Sequence, residues 1–160
     1  MWISSEIHYE KVKVRKKTIF GWRTKNGYRL TKDLRWKAKD GVFYILKAGY
    51  VWDGASYPKW IQFIAGKRNL PGVMAASAFH DTAHSIPARY TIHNPDGTRA
   101  IGHVKFNISD AATLYDHMLE AWPNTDETVS NTQSNIQRYA LVILQPIYNL
   151  FKTKSGWEIL

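Results

Sequence analysis

The order of local patterns along the chain constrains its fold most strongly, because hairpin patterns fill the first third and helical patterns fill the rest. The stretches "KNGY" at 25–28 and "KDGV" at 39–42 each place a dipeptide that tolerates positive φ between strand-forming runs. This arrangement is typical of β-hairpins. Strands first and helices afterwards predict an α+β domain with an N-terminal antiparallel sheet, rather than alternating βαβ units.

The predicted elements fall into two groups. We predict strands near 6–15, 18–24, 28–37 and 42–52, and about four helices near 57–65, 71–85, 108–122 and 130–151. A small inserted hairpin is predicted over 88–103, turning at Asn94 to Gly97. The last helix begins at a capping box in which Ser130 and Gln133 satisfy each other's backbone donors. Its apolar stripe is predicted to face the core and comprises Ile136, Tyr139, Ala140, Ile143, Ile147 and Leu150.

The length of 160 residues predicts a single domain over 1–160, with a basic β-rich part at 1–52 and a helical part at 53–160. The chain has no Cys, which excludes disulfides, a thiolate nucleophile and sulfur-based metal sites. The first residues lack the apolar region of a signal peptide, and no run reaches the roughly 18 apolar residues of a spanning helix. We therefore expect neither a signal peptide nor a transmembrane helix.

The positive charge is concentrated at one end of the chain. Of 22 Lys and Arg residues, 13 lie in residues 1–50 against 4 Asp and Glu, so this part carries the whole net charge of +9. Basic and aromatic residues alternate there. We therefore predict that residues 11–47 meet an anionic surface, namely nucleic acid, phospholipid or an acidic protein. The alternative is a solvated sheet face that keeps the protein in solution.

The stretch "SAFHDTAHS" places two imidazoles, His80 and His84, four residues apart on a predicted helix lined with small residues. Positions i and i+4 share one helix face, which is the spacing of a two-histidine metal pair. Asp81 lies on the flank of that face, where it can hold a cation. The alternative is a core histidine that is hydrogen-bonded to a carbonyl group.

Two further carboxylates complete the candidate site. Asp53, in "WDGASYP", ends a predicted strand and precedes Gly54, so its carboxylate can face a cation or a histidine. Asp110 lies in the first turn of the third long helical pattern. The alternatives are local, because Asp53 can cap its own loop and Asp110 can interact with the helix dipole beside Asn107. We interpret Asp116 as an ordinary surface residue.

The segments "AGYVWDGASYP" and "AASAFHD", with a later helix entered through "SDA", resemble the domain-of-unknown-function family thirteen fifty-three of phages and prophages. The resemblance spans about residues 42–118 and implies a phage protein of the infected host cytoplasm or the virion. Its most specific positions are Gly49, Asp53, Gly54, Ala55, Ser56, Pro58, His80 and Asp81. His84 stands where a Tyr is commoner in that family.

The His-Asp pair on a small-residue helix, with an Asp from a second helix, is also similar to the core of the phospholipase A-two fold. That resemblance implies His80 as general base, Asp81 as a calcium ligand and Asp110 as the carboxylate that orients His80. The family's glycine-rich calcium loop and its cysteines are absent from this chain. A divalent cation such as calcium or zinc is the implied cofactor.

Two functions therefore stand as hypotheses. The first is a metal- or water-assisted hydrolase of esters or amides that uses His80, Asp53 and Asp110 as catalytic residues, with Asp81 and His84 as metal ligands. The second is a non-enzymatic phage accessory or virion protein, which binds its partner through the basic aromatic sheet. In the second case the same Asp and His residues form a structural polar network.

Overall fold

The computed structural model describes residues 1–18, 20–39, 41–54, 62–83, 90–93, 107–150 and 158–159. The strands are β1 (Tyr9–Thr18), β2 (Gly21–Leu30), β3 (Leu34–Lys37), β4 (Phe43–Leu46), β5 (Val51–Trp52), β6 (Tyr90–His93) and β7 (Glu158–Ile159). The helices are α1 (Gln62–Ala65), α2 (Pro71–Ala83), α3 (Ile108–Glu120) and α4 (Asn131–Leu150), with a 3-10 turn at Thr125–Glu127. The predicted α+β class is confirmed. Within these ranges there are three long helices rather than about four, because α1 is described as a single turn.

Two antiparallel sheets form the strand part of the molecule. The first has the strand order β5-β2-β1-β7 and the second has the order β3-β4-β6. Strands β1 and β2 pair in one continuous register from Tyr9 opposite Leu30 to Thr18 opposite Gly21. Strand β6, within the predicted insertion, extends the second sheet by pairing with β4. The predicted turn of that insertion falls on residues 94–97, outside the described part of the chain.

The hairpin turn predicted at 25–28 is wrong. Asn26 and Gly27 lie inside β2, and the chain instead reverses between β1 and β2. A Cβ atom at Gly27 would lie 2.7 and 2.9 Å from the two methyl carbons of Val14, and 3.0 Å from the carbonyl oxygen of Trp52. The glycine is therefore explained by close packing inside the sheet, which is the other common reason for glycine in a strand.

The second predicted hairpin, around 39–42, is confirmed by the strands that flank it, and Asp40 lies outside the described residues. Its turn joins β3 to β4, and the backbone N–H of Ala38 donates to the carbonyl of Val42 across it at 2.9 Å. The two long strands predicted around it are each divided. Residues 31–33 separate β2 from β3, and residues 47–50 separate β4 from β5.

One hydrophobic cluster joins the strands to the helices. Its largest members are Trp2, Leu30, Trp36, Leu46 and Trp52 on the strand side, with Phe79, Tyr115, Met118, Leu119 and Trp122 on the helical side. The ring of Trp2 meets Trp36, Phe79 and Trp122 edge-on at centroid distances of 5.3, 5.9 and 5.0 Å. Its indole N–H donates to the carbonyl of Met118 at 2.7 Å. This residue therefore packs against both layers.

Helix α4 begins as predicted but presents a different face to the core. The capping box is present, with the Ser130 N–H donating to Gln133 Oε1 and the Gln133 N–H donating to Ser130 Oγ. Tyr139 and Ile143, predicted to be buried, are 60% and 66% exposed, whereas Gln137 is completely buried. The predicted stripe is therefore wrong at Tyr139 and Ile143, whereas Ile136 and Ala140 pack against the core as predicted. In the described part of the chain, no helix is long and apolar enough to cross a bilayer.

Candidate functional site

A polar pocket of about 350 Å³ opens beside the edge of β2. Its lining includes Lys25, Asn26 and Tyr28 of β2, Asp53 after β5, and Arg68 and Asn69 before α2. Two cationic side chains thus share one small cavity with a carboxylate. Most small-molecule sites have a mainly apolar lining, whereas this pocket is lined mainly by polar and charged side chains.

Asp53 reaches the pocket because strand β5 ends directly before it. Trp52 pairs with Tyr28 of β2 and is completely buried, which anchors the end of the strand. Gly54 then adopts a φ of +82°, and a Cβ atom there would lie 2.9 Å from the Tyr28 ring. Only glycine tolerates both the left-handed backbone and this close approach.

Asp53 lies in an unusual electrostatic environment. Its side chain is 13% exposed and forms an ion pair with Lys25. Burial and then the negative charge of Asp81 raise the pKa of Asp53 to about 6, although Lys25 acts in the opposite direction. Asp53 also shares a side-chain hydrogen bond with Asp81, which favours its protonated form. The pKa of Asp53 therefore depends on the charge and the hydrogen bond of Asp81.

Asp81 connects Asp53 to His80. The Asp81 Oδ1 atom lies 3.9 Å from His80 Nδ1, and the His80 side chain is 5% exposed. The His80 ring meets the edge of Tyr115 at 5.7 Å. The Tyr115 hydroxyl donates to Gln137 Oε1 at 2.5 Å, and Gln137 Nε2 donates to the carbonyl of Ala65. Adjacent polar side chains thus extend from the pocket into the helical layer, with a ring contact between His80 and Tyr115 and hydrogen bonds from Tyr115 onward.

The structure brings Asp53, Asp81 and His80 together and leaves Asp110 apart from them. Asp110 is exposed in the first turn of α3, and its backbone N–H donates to Asn107 Oδ1 at 2.8 Å. It does not line the pocket. The α3 residue that contacts the His80 ring is Tyr115. The predicted catalytic role of Asp110 thus stays a prediction, without a contact to this group among the described residues.

The metal site predicted from Asp81 and His84 falls partly on residues 84–89, which lie outside the described ranges. Among the residues that are described, no group of three or more His, Asp or Glu side chains is placed to hold a metal ion. Asp81 instead bridges Asp53 and His80. The divalent cation stays a prediction.

Sequence reasoning missed the two cationic residues of the pocket and misplaced one carboxylate. Lys25 was noted only for its charge and as part of a predicted turn, and Arg68 only for its charge, yet both line the pocket. Asp116, interpreted as a surface residue, is 5% exposed, so that interpretation is wrong. Its carboxylate accepts a hydrogen bond from Ser134 and lies 3.7 Å from Arg138 on α4. Its burial arises because α4 packs over α3, and no local pattern in the sequence reports that contact.

The raised pKa of Asp53 predicts how stability changes with pH. The folded protein binds the Asp53 proton more tightly than the unfolded chain, whose ordinary value is 3.8. The contribution of this proton to the free energy of unfolding is therefore complete below about pH 4 and is lost as the pH rises through 6. The loss amounts to about 2–3 kcal/mol.

Urea unfolding of the wild type and Asp53→Asn from pH 4 to pH 7.5 measures this contribution, because titrating groups remote from Asp53 affect both proteins equally and cancel in the difference. We expect the variant to gain relative stability as the pH rises, with most of the change between pH 4 and pH 6.5. A stability difference that stays constant across this range would contradict the raised pKa.

No known protein family, curated protein or solved structure matches this chain. The two resemblances seen in the sequence stay predictions.

Proposed function

We propose that this protein is a hydrolase whose active site is the pocket beside β2, with Asp53 as its general base. The observation that carries the proposal is the position of Asp53, a carboxyl group that is 13% exposed, lines the pocket and has a pKa of about 6. A general base is most effective when its pKa lies near the working pH. Most Asp side chains have a pKa about two units lower than this.

The neighbouring residues supply the other parts of a hydrolytic site. Asp53 accepts a proton from a water molecule while the water oxygen bonds to the acyl or phosphoryl centre of the substrate. The leaving group departs with that proton, which restores the carboxylate. Lys25 and Arg68 supply positive charge to the oxygen atoms on which negative charge develops. The hydrogen bond with Asp81 stabilises the protonated form of Asp53 that exists after the water has been deprotonated.

In this proposal His80 is a positioning residue. It is buried behind Asp81, and the described residues that line the pocket do not include it. Its contacts with Asp81 and Tyr115 fix the end of α2 against α3. This differs from the role that the phospholipase resemblance implies, in which His80 is the base itself. The resemblance to phage proteins supports, as part of the same proposal, a location in the infected host cytoplasm or the virion.

The proposal is tested with three chromogenic substrates, a carboxyl ester, a phosphomonoester and a phosphodiester of p-nitrophenol. We expect the purified protein to hydrolyse at least one of them, with kcat/KM rising through an apparent pKa near 6. Product should be read at its isosbestic wavelength, so that the pH profile reports the enzyme alone. Rates equal to the buffer background on all three substrates would contradict the proposal.

A further inference from the structure

Strand β1 carries a row of positive charges on one face. Residues two apart on a strand point to the same side and lie about 7 Å apart. Four such residues are exposed and basic, and we call them the cation row: Lys11, Lys13, Arg15 and Lys17. The row is about 20 Å long. Its cross-strand neighbours are Tyr28, Asn26, Thr24 and Trp22 on β2, and Glu158 of β7 lies opposite Arg15 on the other side.

Exposed aromatic rings lie at the outer end of the cation row. Trp22 is 58% exposed and pairs with Lys17, and Phe20 at the turn is 83% exposed. The guanidinium of Arg15 lies 4.7 Å from the centroid of the Trp22 ring. This contact orients the ring beside the charges. Exposed large apolar side chains in such an arrangement mark an interaction surface more often than isolated ones do.

We infer that this face of the β1–β2 hairpin binds single-stranded nucleic acid, with the cation row along the phosphates and a base stacked on Trp22. Proteins that bind single strands combine a line of positive charge with aromatic rings on which bases stack. Both features are present here on one exposed strand pair. The partner is thus an extended polyanion that carries aromatic bases.

The alternative partner for a basic aromatic hairpin is an anionic membrane. A bilayer would engage the tip at Phe20 and Trp22. Lys11 would then lie about 20 Å from the tip along the strand, whereas charges are screened beyond about 8–10 Å at ordinary salt. A membrane contact therefore leaves Lys11 and Lys13 without a role. A nucleic acid strand that follows the row uses all four cations.

The inner end of the cation row adjoins the pocket. Lys13 pairs with Asn26 and Lys11 pairs with Tyr28, and both of these β2 residues line the pocket. Lys25, the ion-pair partner of Asp53, pairs instead with Val14 and so points to the opposite face of the hairpin from the row. The binding inference therefore does not depend on the proposed hydrolase activity.

Binding is measured by the fluorescence anisotropy of a labelled 15-nucleotide oligothymidylate over a series of salt concentrations. We expect Lys11→Gln with Lys13→Gln to weaken binding at least tenfold, and to make the slope of log K against log salt shallower by about 1.4. Trp22→Ala should weaken binding about tenfold through the lost stacking. The matched control, Lys32→Gln with Lys39→Gln, removes two exposed lysines outside the row and should leave binding unchanged.

Three results would overturn the inference. The first is an affinity for the oligonucleotide that the Lys11 and Lys13 substitutions do not change. The second is tighter binding to a duplex of the same length. The third is sedimentation with phosphatidylserine-containing vesicles that depends on Phe20, without binding to the oligonucleotide. Asp53→Asn should bind the oligonucleotide as the wild type does, so a failure of binding and a failure of hydrolysis can be told apart.

Discussion

Replacement of Asp53 by Asn is expected to lower kcat/KM for the proposed hydrolysis by about 10²- to 10⁴-fold, which is the usual contribution of a general base. The amide keeps the shape of the side chain but cannot accept a proton from water near neutral pH. The rise in rate through an apparent pKa near 6 should disappear together with the activity. The measurement is the pH profile of kcat/KM for both proteins on the best chromogenic substrate.

The same variant separates catalysis from folding. Asn removes a buried carboxylate whose charged form is costly, so Asp53→Asn should be at least as stable as the wild type at pH 7.5. Lost activity in a more stable protein indicates a catalytic site rather than a structural network. Asp126→Asn, at an exposed position in the 3-10 turn, is the matched control and should keep full activity. An Asp53→Asn protein with unchanged kcat/KM would contradict the assigned role.

Asp110→Asn distinguishes the two versions of the site. If the phospholipase resemblance is right, Asp110→Asn should lose most of the activity, because Asp110 would orient His80. If Asp53 is the base, the activity of Asp110→Asn should change little, because Asp110 is exposed and does not line the pocket.

Replacement of Trp2 by Ala is expected to destabilise the protein by about 3–5 kcal/mol, the usual range for a buried aromatic residue. The indole ring is 6% exposed and contacts three other aromatic rings from both layers. Its removal also leaves the carbonyl of Met118 without the indole N–H that donates to it. Thermal unfolding followed by circular dichroism should show a midpoint lower by roughly 10 °C.

Trp22→Ala is the matched control, because it makes the same chemical change at a side chain that is 58% exposed. Its free energy of unfolding should change by less than about 1 kcal/mol, since surface substitutions have small effects. Equal losses in the two variants would show that Trp2 has no special place in the core.

Local chemistry accounts for the features that were predicted correctly. The capping box at Ser130 and Gln133 needs only residues three apart, and it is present. The turn at 39–42 needs only a dipeptide that tolerates its backbone angles, and it joins β3 to β4 as predicted. The Asn26–Gly27 dipeptide has the same local pattern, but Gly27 is required by contacts with Val14 and Trp52. A pattern of two residues cannot distinguish these two causes.

In the candidate site, too, the sequence identified individual residues but not the contacts between them. Asp53 and His80 were selected from the sequence because each stands at a position where polar groups need partners. The link between them is Asp81, which had been interpreted as a metal ligand. The partner of Asp53 on the strand side is Lys25, 28 residues away in the chain. No local pattern identifies such a pair, because the contact exists only after β2 and β5 are aligned.

By itself, the sequence determined the α+β class, most helix starts and the concentration of basic residues on the first strands. These follow from hydrophobic period, capping and charge, which act over a few neighbouring residues. Only the tertiary structure decided which face of α4 is buried, that Asp116 lies inside, and that Asp53, Asp81 and His80 adjoin one another. These positions depend on which helix and strand surfaces pack against each other and exclude water. Such packing is a property of the whole folded chain rather than of any single segment.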